Sequence, residues 1–199
     1  MKKFRLFIDQ QKEEKWLNEM IQKGWVCRRI SSFGVYNFEK INHFEQAIRL
    51  DFQSFKSKDM YQQYTLLHED FGWKHIGGSR WSSLQYWLKP TDGLDELYSD
   101  NASEKCYLER LVKYYGACTF LFIILTVGLF NNALQYTNLK SAYFTPGLWD
   151  KEGTAFIFAF LFETPFALLR FGSPWFIIIC GIAFTTTYLK YKKELEKTA

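Results

Sequence analysis

The sequence lacks most of the patterns by which enzymes and cofactor-binding proteins are recognised. It has four prolines and four cysteines, and no two cysteines form a C-x-x-C pair. It contains no H-E-x-x-H metal motif, no glycine-rich phosphate loop of either common spacing and no G-x-S-x-G elbow. These absences argue against disulfide scaffolds, zinc sites and nucleotide-binding loops, so we expect free thiols, no cofactor and no metal ion.

A secretory signal is also missing from the start of the sequence. Met1-Lys2-Lys3 is basic, but the apolar stretch from Phe4 to Ile8 is too short for a signal core, and charged residues follow it directly. We therefore expect the N-terminal domain to lie in the cytoplasm.

The residues that resemble parts of a catalytic or metal site have simpler explanations. His68-Glu69-Asp70 resembles a metal-binding triplet, yet it also fits a solvated helix end. Gly77-Gly78-Ser79 fits a hairpin turn. Glu13-Glu14 lies in the first turn of a predicted helix, where acidic side chains interact favourably with the helix dipole. No acid–base pair can be nominated, and we expect no catalytic residue and no enzymatic activity.

Charge is balanced in the N-terminal half and one-signed around the apolar half. Residues 1–104 hold fifteen Lys and Arg and fifteen Asp and Glu, so the net charge of +4 arises elsewhere. The excess cations are Lys105, Arg110, Lys113, Lys190, Lys192, Lys193 and Lys197. They flank apolar segments, as on the cytoplasmic side of a membrane, and they do not form a nucleic-acid-binding stripe.

Two uncharged apolar segments predict membrane spans. Residues 114–130 read YYGACTFLFIILTVGLF, and with their continuation to Leu134 they can cross a hydrocarbon core of roughly 30 Å. Residues 174–189 read PWFIIICGIAFTTTYL and end in a basic cluster. Within a transmembrane region at residues 113–190, we therefore predict spans at about 113–134 and 172–190, followed by a basic tail at 191–199.

A third apolar segment, at about residues 154–169, is harder to interpret. It is short and contains Glu163 and Pro165, so a re-entrant or interfacial helix fits it as well as a short span. Two full spans would place both basic clusters in the cytoplasm, whereas three would place the tail outside. We favour two spans, with a break at Gly172-Ser173-Pro174 and an outward loop at residues 135–153.

Glu163 is a carboxylate within an apolar run, which makes it a candidate functional residue. Such a group often faces an aqueous path or a partner because exposure to lipid is costly. The alternative is a position near the interface, beside Pro165 and Arg170.

The N-terminal residues 1–90 contain a repeated pattern. Strands are expected at Lys3–Ile8, Trp25–Ile30, Phe33–Lys40, Ala47–Phe52, Lys74–Ile76 and Leu84–Leu88, with helices at Lys12–Lys23 and Lys58–Asp70. The order β-α-β-β thus occurs twice, and IRLDF repeats FRLFI. We predict a cytoplasmic α+β domain, ferredoxin-like and duplicated, with both helices on one face of an antiparallel-rich sheet.

Two glycine–tryptophan pairs occupy equivalent places in this repeat. Gly24-Trp25 and Gly72-Trp73 each follow a helix and begin a strand. A ligand-stacking role is conceivable, but we interpret each glycine as a left-handed helix cap and each tryptophan as a packing residue. Trp81 has no such place, so it remains a candidate functional residue on a loop or sheet edge.

Residues 91–112 are expected to form a linker and a stalk helix. Asn101 with Glu104 resembles a capping box, and Asp100 could cap the helix instead. No helix breaker occurs before Gly116, so the stalk should run into the first span.

Several of these segments together resemble a bacterial family. The segments are KKFRLFIDQQKEEKWLNEMIQKGW, FGVYNFEK, AIRLDF, DFGWKHIG and YSDNASE. Over about residues 1–105 the sequence is similar to the domain of unknown function 2812, which is common in Firmicutes. The resemblance implies C-terminal membrane spans and, through neighbouring genes for PadR-type repressors, a regulatory or stress-response setting. It implies no catalytic residues and does not explain the segment around Glu163.

Two functions are consistent with this organisation. The first is a membrane-anchored sensory or regulatory module of the cell membrane, which binds an unidentified ligand or a regulator of the PadR type. The second is a transport accessory or immunity-type membrane protein whose spans carry the function.

Overall fold

The computed structural model describes residues 1–31, 34–41, 46–91, 97–98, 100–130 and 138–198. The strands are β1 (Lys2–Phe4), β2 (Trp25–Ile30), β3 (Val35–Lys40), β4 (Gln46–Phe52), β5 (Lys74–Gly77) and β6 (Leu84–Pro90). The helices are α1 (Gln10–Gln22), α2 (Lys58–Asp70), α3 (Asn101–Phe130) and α4 (Gly153–Thr198), with short 3-10 turns at Leu139–Ala142 and Leu148–Asp150. The predicted α+β class is confirmed.

The chain forms two compact units. The first contains residues 1–112 and 191–199, and the second contains residues 113–190. Helices α3 and α4 therefore each contribute one end to the first unit and the rest to the second.

The first unit contains two small antiparallel sheets. Their strand orders are β1-β3-β2 and β4-β6-β5, so in each sheet the last strand lies between the two strands that flank the helix. The β-α-β-β order thus occurs twice, as the sequence predicts. The expected single sheet is instead divided, and the two sheets approach each other where Ile30 of β2 lies against Gly77 of β5.

Local interactions set the ends of the first two helices. Asp9 accepts a hydrogen bond from the backbone N–H of Gln11 at 3.1 Å, so α1 begins two residues earlier than predicted. Ser57 caps α2 in the same way. Gly24 and Gly72 follow these helices with φ of 81° and 80°, respectively, a conformation that glycine adopts without steric cost.

Strand β1 is shorter than the predicted Lys3–Ile8. Its partner β3 begins only at Val35, which pairs with Phe4, so the ladder stops there. Beyond it, Arg5 donates its N–H to the carbonyl of Gly34 at 3.0 Å. Ser32 and Phe33, where the sequence places a turn and the start of a strand, lie outside the described residues.

One apolar core joins α1 to both sheets. Its residues are Leu17, Met20, Ile21, Val26, Cys27, Tyr36, Phe38, Ile48, Leu50, Ile76, Tyr86 and Leu88. The members from α1 recur at helical spacing, and those from β3 and β6 alternate along their strands.

The expectation that both helices pack on one face is wrong. Tyr86 and Leu88 of β6 belong to the core with α1, whereas Trp87 between them contacts Tyr64 and His68 of α2. Successive side chains of a strand point to opposite faces. The second sheet is therefore covered on both faces, which explains why Tyr86, Trp87 and Leu88 form an uninterrupted buried run.

Helix α3 is continuous from Asn101 into the apolar segment, as the predicted stalk requires. Asp100 is its cap, because its side chain accepts the N–H of Ser103 at 3.0 Å and its carbonyl accepts the N–H of Glu104. Of the two alternatives from the sequence, the helix therefore uses Asp100 and begins at Asn101. Residues 131–134 of the predicted first span lie outside the described residues.

The predicted break at Gly172-Ser173-Pro174 is absent. Helix α4 runs for 46 residues and contains both Pro165 and Pro174. Segment 154–169 and the predicted span 172–190 thus belong to one helix. Each proline removes only one backbone donor, and in a long apolar run the remaining i→i−4 bonds favour continuation of the helix.

Two helices, α3 and α4, are long and apolar enough to cross a membrane. Only 17% and 11% of their most apolar windows are buried, whereas a core helix of a water-soluble protein would be mostly covered. Phe120, Phe158, Phe162 and Leu169 are each at least 66% exposed.

Two glycines with positive φ give a matched test of this fold. A Cβ at Gly34 would lie 2.5 Å from the carbonyl oxygen of Arg5, whereas at Gly72 the nearest atom would be 3.6 Å away. We expect Gly72→Ala to lower the free energy of unfolding by about 1 kcal/mol through strain alone. Gly34→Ala should lower it by about 3 kcal/mol, since a backbone clash is added.

Urea denaturation of the detergent-solubilised full-length protein, followed by tryptophan fluorescence, measures both values. Equal losses at the two glycines would contradict the close approach of Arg5 to Gly34.

Candidate ligand-binding site

The carboxylate of Glu13 is buried where α1 meets both sheets. Glu13 is 4% exposed, and its Oε1 atom accepts hydrogen bonds from the hydroxyls of Tyr36 and Tyr86, both at 2.7 Å. Tyr36 lies on β3 of the first sheet and Tyr86 on β6 of the second. One carboxylate oxygen thus connects the helix to both sheets.

Contacts with an open sheet edge fix the position of α1. Strand β4 is at the edge of its sheet, and Asn18 of α1 both accepts the N–H and donates to the carbonyl of Ile48, each at 2.9 Å. Glu14 accepts the N–H of Leu50 at 2.9 Å and pairs with Arg49 at 3.2 Å. These polar contacts cover the edge and hold the neighbouring Glu13 in place.

Glu13 and both tyrosines line a cavity of about 230 Å³. Its wall also includes Arg5, Leu6, Phe7, Ile30, Ser31, Gly34, Gly78, Ser82 and Leu84. Within the described part of the chain, the second carboxylate oxygen of Glu13, Oε2, accepts no hydrogen bond. The cavity therefore offers one carboxylate oxygen to a bound molecule.

Burial controls the protonation of this cluster. It raises the pKa of Glu13, while the hydrogen bonds from Tyr36 and Tyr86 oppose that shift. Burial and the neighbouring Glu13 charge raise the pKa of both tyrosines, so they remain neutral donors at physiological pH.

A cation stands at the edge of the same cavity. The guanidinium carbon of Arg5 lies 4.7 Å from the ring centre of Phe7 and 5.2 Å from that of Trp16. The exposed Arg5 is thus held against aromatic faces. The cavity combines a buried acid, two hydroxyls, an apolar wall and a rim cation, which suits recognition of a small polar molecule.

Glu13 is not among the site residues predicted from the sequence, because acidic residues in the first turn of a helix are explained by the helix dipole. A signal was present: Glu13, Leu17, Met20 and Ile21 follow the spacing of one helix face. A carboxylate on an otherwise apolar helix face must be partnered when that face is buried.

One turn before Glu13, Asp9 binds the end of α4. Asp9 is 5% exposed, and it accepts the hydroxyl hydrogen of Tyr191 at 2.8 Å. Gln11 adds a bond from its side chain to Glu194 at 2.8 Å. The N-terminal turn of α1 thus carries both a cavity residue and an anchor for α4.

Asp51 binds the start of α3 in a comparable way. It is 3% exposed and accepts hydrogen bonds from Tyr64 at 2.7 Å and from Tyr98. Arg110 of α3 pairs with Asp51 at 3.2 Å and donates to the carbonyl of Phe52 at 2.7 Å. Strand β4 is therefore tied to α3 through a buried carboxylate.

In the second unit, Glu163 holds a loop segment against α4. Its carboxylate accepts the backbone N–H groups of Phe144 and Thr145 at 2.5 and 2.7 Å and the hydroxyl of Thr145. Arg170 pairs with it at 3.0 Å. Both carboxylate oxygens thus have partners, and one of these is Arg170, which the sequence analysis placed beside Glu163.

The tryptophans singled out from the sequence are not among the residues of the cavity wall. Trp81 is 85% exposed in the turn between β5 and β6, with Arg80 over its ring. Trp73 is 5% exposed, and Trp25 packs against the core. Trp25 and Trp73 thus occupy packing positions, and Gly24 and Gly72 have the positive φ of a residue that follows a helix.

His68 does not form part of a metal cluster in the described residues. Its Nδ1 atom lies 2.9 Å from the carbonyl oxygen of Tyr64, and its ring stacks on Trp87. Across the part of the chain that the structure describes, no group of three His, Cys, Asp or Glu could hold a metal ion.

Replacing Glu13 with glutamine should change how stability depends on pH. Because the pKa is raised above its ordinary value of 4.5, ionisation of Glu13 destabilises the folded state. This cost is absent below about pH 4.5 and grows as the pH rises through the folded-state pKa. The Tm of the native protein minus that of Glu13→Gln should therefore fall between pH 4 and pH 7.

Thermal unfolding of the full-length protein in detergent measures this difference. Glu19→Gln, at an exposed position of the same helix, is the control and should show no such trend. A difference that grows with pH would mean that the tyrosine hydrogen bonds outweigh burial.

Comparison with known families gives a match over the region that holds this site. Residues 9–120, more than half of the chain, match the family described as Protein of unknown function (DUF2812). The matched region includes Glu13, both tyrosines of the cavity and the anchors Asp9 and Asp51. No curated protein and no solved structure matches the chain. The chain belongs to the DUF2812 family.

Proposed function

We propose that this protein is a membrane-anchored sensory or regulatory module. Its first unit binds a small ligand in the cytoplasm, at the Glu13 cavity, and the ends of α3 and α4 respond to it. The observation that carries this proposal is the N-terminal turn of α1, where Asp9 binds Tyr191 of α4 and Glu13 lines the cavity.

The surface of the two long helices supports a membrane location. The most apolar windows of these helices have mean hydropathies of 1.7 and 1.8, and their exposed aromatic and aliphatic side chains would be unfavourable in water. In a bilayer the same surface is solvated by lipid, so we infer a multi-pass protein of the cell membrane. The basic residues beside the apolar segments favour a cytoplasmic first unit.

The anchors give a physical route from ligand to helices. Asp9 and Glu13 are one turn apart on α1, so a ligand that moves Glu13 also acts on the bond between Asp9 and Tyr191. Asp51 on β4 holds Arg110 of α3, and β4 is bound to α1 through Asn18. Buried charged contacts of this kind are sensitive to small shifts, because an unpaired buried charge is costly.

We further propose that the two β-α-β-β units are a duplicated, ferredoxin-like pair. Each has its third strand between the two strands that flank the helix, as in a split β-α-β unit. Each also has a capped helix followed by a glycine with positive φ and a tryptophan. A repeat with two equivalent halves can bring a residue from each half to one cavity, as Tyr36 and Tyr86 do.

A regulator of the PadR type remains the proposed partner. Trp81, with its largely exposed indole, is the side chain best suited to contact such a protein, because tryptophan is enriched at energetically important interface positions.

The alternative function, a transport accessory or immunity-type protein acting through its spans, was motivated by Glu163. Since the partners of Glu163 are Arg170 and the segment at 144–145, the carboxylate has a local structural explanation. The sensory function therefore has the stronger support.

Labelling of the native cysteines tests the membrane location. Cys106 is exposed in the first unit, whereas Cys27 is buried and burial raises its pKa to about 12. A membrane-impermeant maleimide should label the protein in inside-out vesicles and not in intact cells, and Cys106→Ser should abolish the labelling. Labelling in intact cells, or recovery of the full chain from the aqueous fraction without detergent, would overturn the proposed location.

Tyr191→Phe tests the connection between α1 and α4. Removing the hydroxyl that Asp9 accepts costs about 1 kcal/mol, so amide hydrogen exchange at residues 191–198 should accelerate about five-fold. The full-length protein in lipid nanodiscs is the sample. Tyr188→Phe is the control, since the Tyr188 hydroxyl makes no hydrogen bond to the described residues. Equal exchange in both variants would remove the proposed route.

A further inference from the structure

We propose that the Glu13 cavity binds a small molecule through an ammonium group. This inference rests on the proposed sensory function and names the chemical class of its ligand. The recognition element is the carboxylate of Glu13, a residue of the cavity wall: its Oε1 atom is held by two tyrosines, and its Oε2 atom accepts no hydrogen bond from the described residues.

The arrangement of donors around Glu13 leaves a site for a cation beside its carboxylate. The hydroxyls of Tyr36 and Tyr86 both point their hydrogens at Oε1, so they satisfy one side of the carboxylate. The other oxygen accepts no hydrogen bond from the described residues, and a charged donor suits it best because Glu13 as a residue is only 4% exposed. An anion at the same place would meet Glu13 without compensation.

The size of the cavity limits the ligand to a few heavy atoms. Its volume of about 230 Å³ is below the roughly 300–1,000 Å³ of pockets that hold drug-sized molecules. Phe7, Ile30 and Leu84 supply apolar wall. A short aliphatic chain on the ammonium group would therefore be buried favourably.

The guanidinium of Arg5 helps to distinguish two kinds of ligand that carry an ammonium group. Arg5 lines the same cavity, held over Phe7 and Trp16, and among the described residues it makes no ion pair with Glu13. A zwitterion such as an amino acid could place its carboxylate near Arg5, whereas a simple amine would use Glu13 alone. The ammonium group is common to both.

Isothermal titration calorimetry on the full-length protein in lipid nanodiscs at pH 7.5 tests the proposal. The probes are n-butylamine, leucine and isovalerate, which carry an ammonium group, an ammonium and a carboxylate, and a carboxylate alone. At least one of the first two should bind, and isovalerate should not. Glu13→Gln should raise the Kd of the bound probe at least ten-fold, because a charge-assisted hydrogen bond is lost.

Glu19→Gln is the control on the same helix and should leave the Kd unchanged. Ser82→Phe is a second variant: it fills the cavity from its wall, keeps the Glu13 charge and should also abolish binding. A cooperative thermal unfolding transition in both variants would separate loss of the site from loss of the fold.

Leucine binding alone would assign a zwitterionic ligand, and butylamine binding would assign a simple amine; either supports the proposal. Binding of neither, equal binding of isovalerate, or affinity independent of Glu13 would overturn it. Cysteine labelling and hydrogen exchange at residues 191–198 are measured without any ligand, so the sensory function would fail or stand on those results separately.

Discussion

A single buried carboxylate oxygen joins helix α1 to both sheets of the first unit. The Oε1 atom of Glu13 accepts one hydroxyl from each sheet, so α1 and the strands β3 and β6 meet there. A buried charge without such partners would cost several kcal/mol. The hydrogen bonds from both tyrosines offset part of that cost, and the second oxygen accepts no hydrogen bond from the described residues.

Buried acids also connect this unit to the two long helices. Asp9 holds Tyr191 of α4, and Asp51 holds Arg110 of α3. These contacts are polar and directional, unlike the apolar core, so they fix which residue of each helix meets the domain. Three carboxylates thus make polar contacts inside the first unit and to the ends of both long helices, and two of them, Asp9 and Glu13, lie one turn apart.

Membership of the DUF2812 family assigns no activity, so the physical organisation of the chain carries the functional argument. A polar cavity lies in the matched region. The apolar helix α3 begins in that region and extends beyond its end, and the apolar helix α4 follows later in the chain. The exposed apolar surface of α3 and α4 agrees with lipid as their solvent, and Glu163 is bound by Arg170 and by backbone N–H groups at residues 144 and 145. Binding in one unit and anchoring in the other is the division of roles that we propose.

Much of the secondary structure could be predicted from the sequence, because apolar periodicity and helix caps are local: α2, β2 and the continuous α3 illustrate this. The predicted break at Gly172-Ser173-Pro174 is wrong. The apolar residues on both sides of this segment keep their backbone i→i−4 hydrogen bonds, so the helix continues through it. The Glu13 cavity could not be predicted, since Tyr36 and Tyr86 are 50 residues apart and only sheet packing brings both to one oxygen. Sequence alone determined the α+β class, the repeat and the apolar helices, which depend on neighbouring residues. Tertiary structure decided the division into two sheets, the packing of α1 and α2 on opposite faces of the second sheet, and the burial of Glu13, because these depend on long-range contacts.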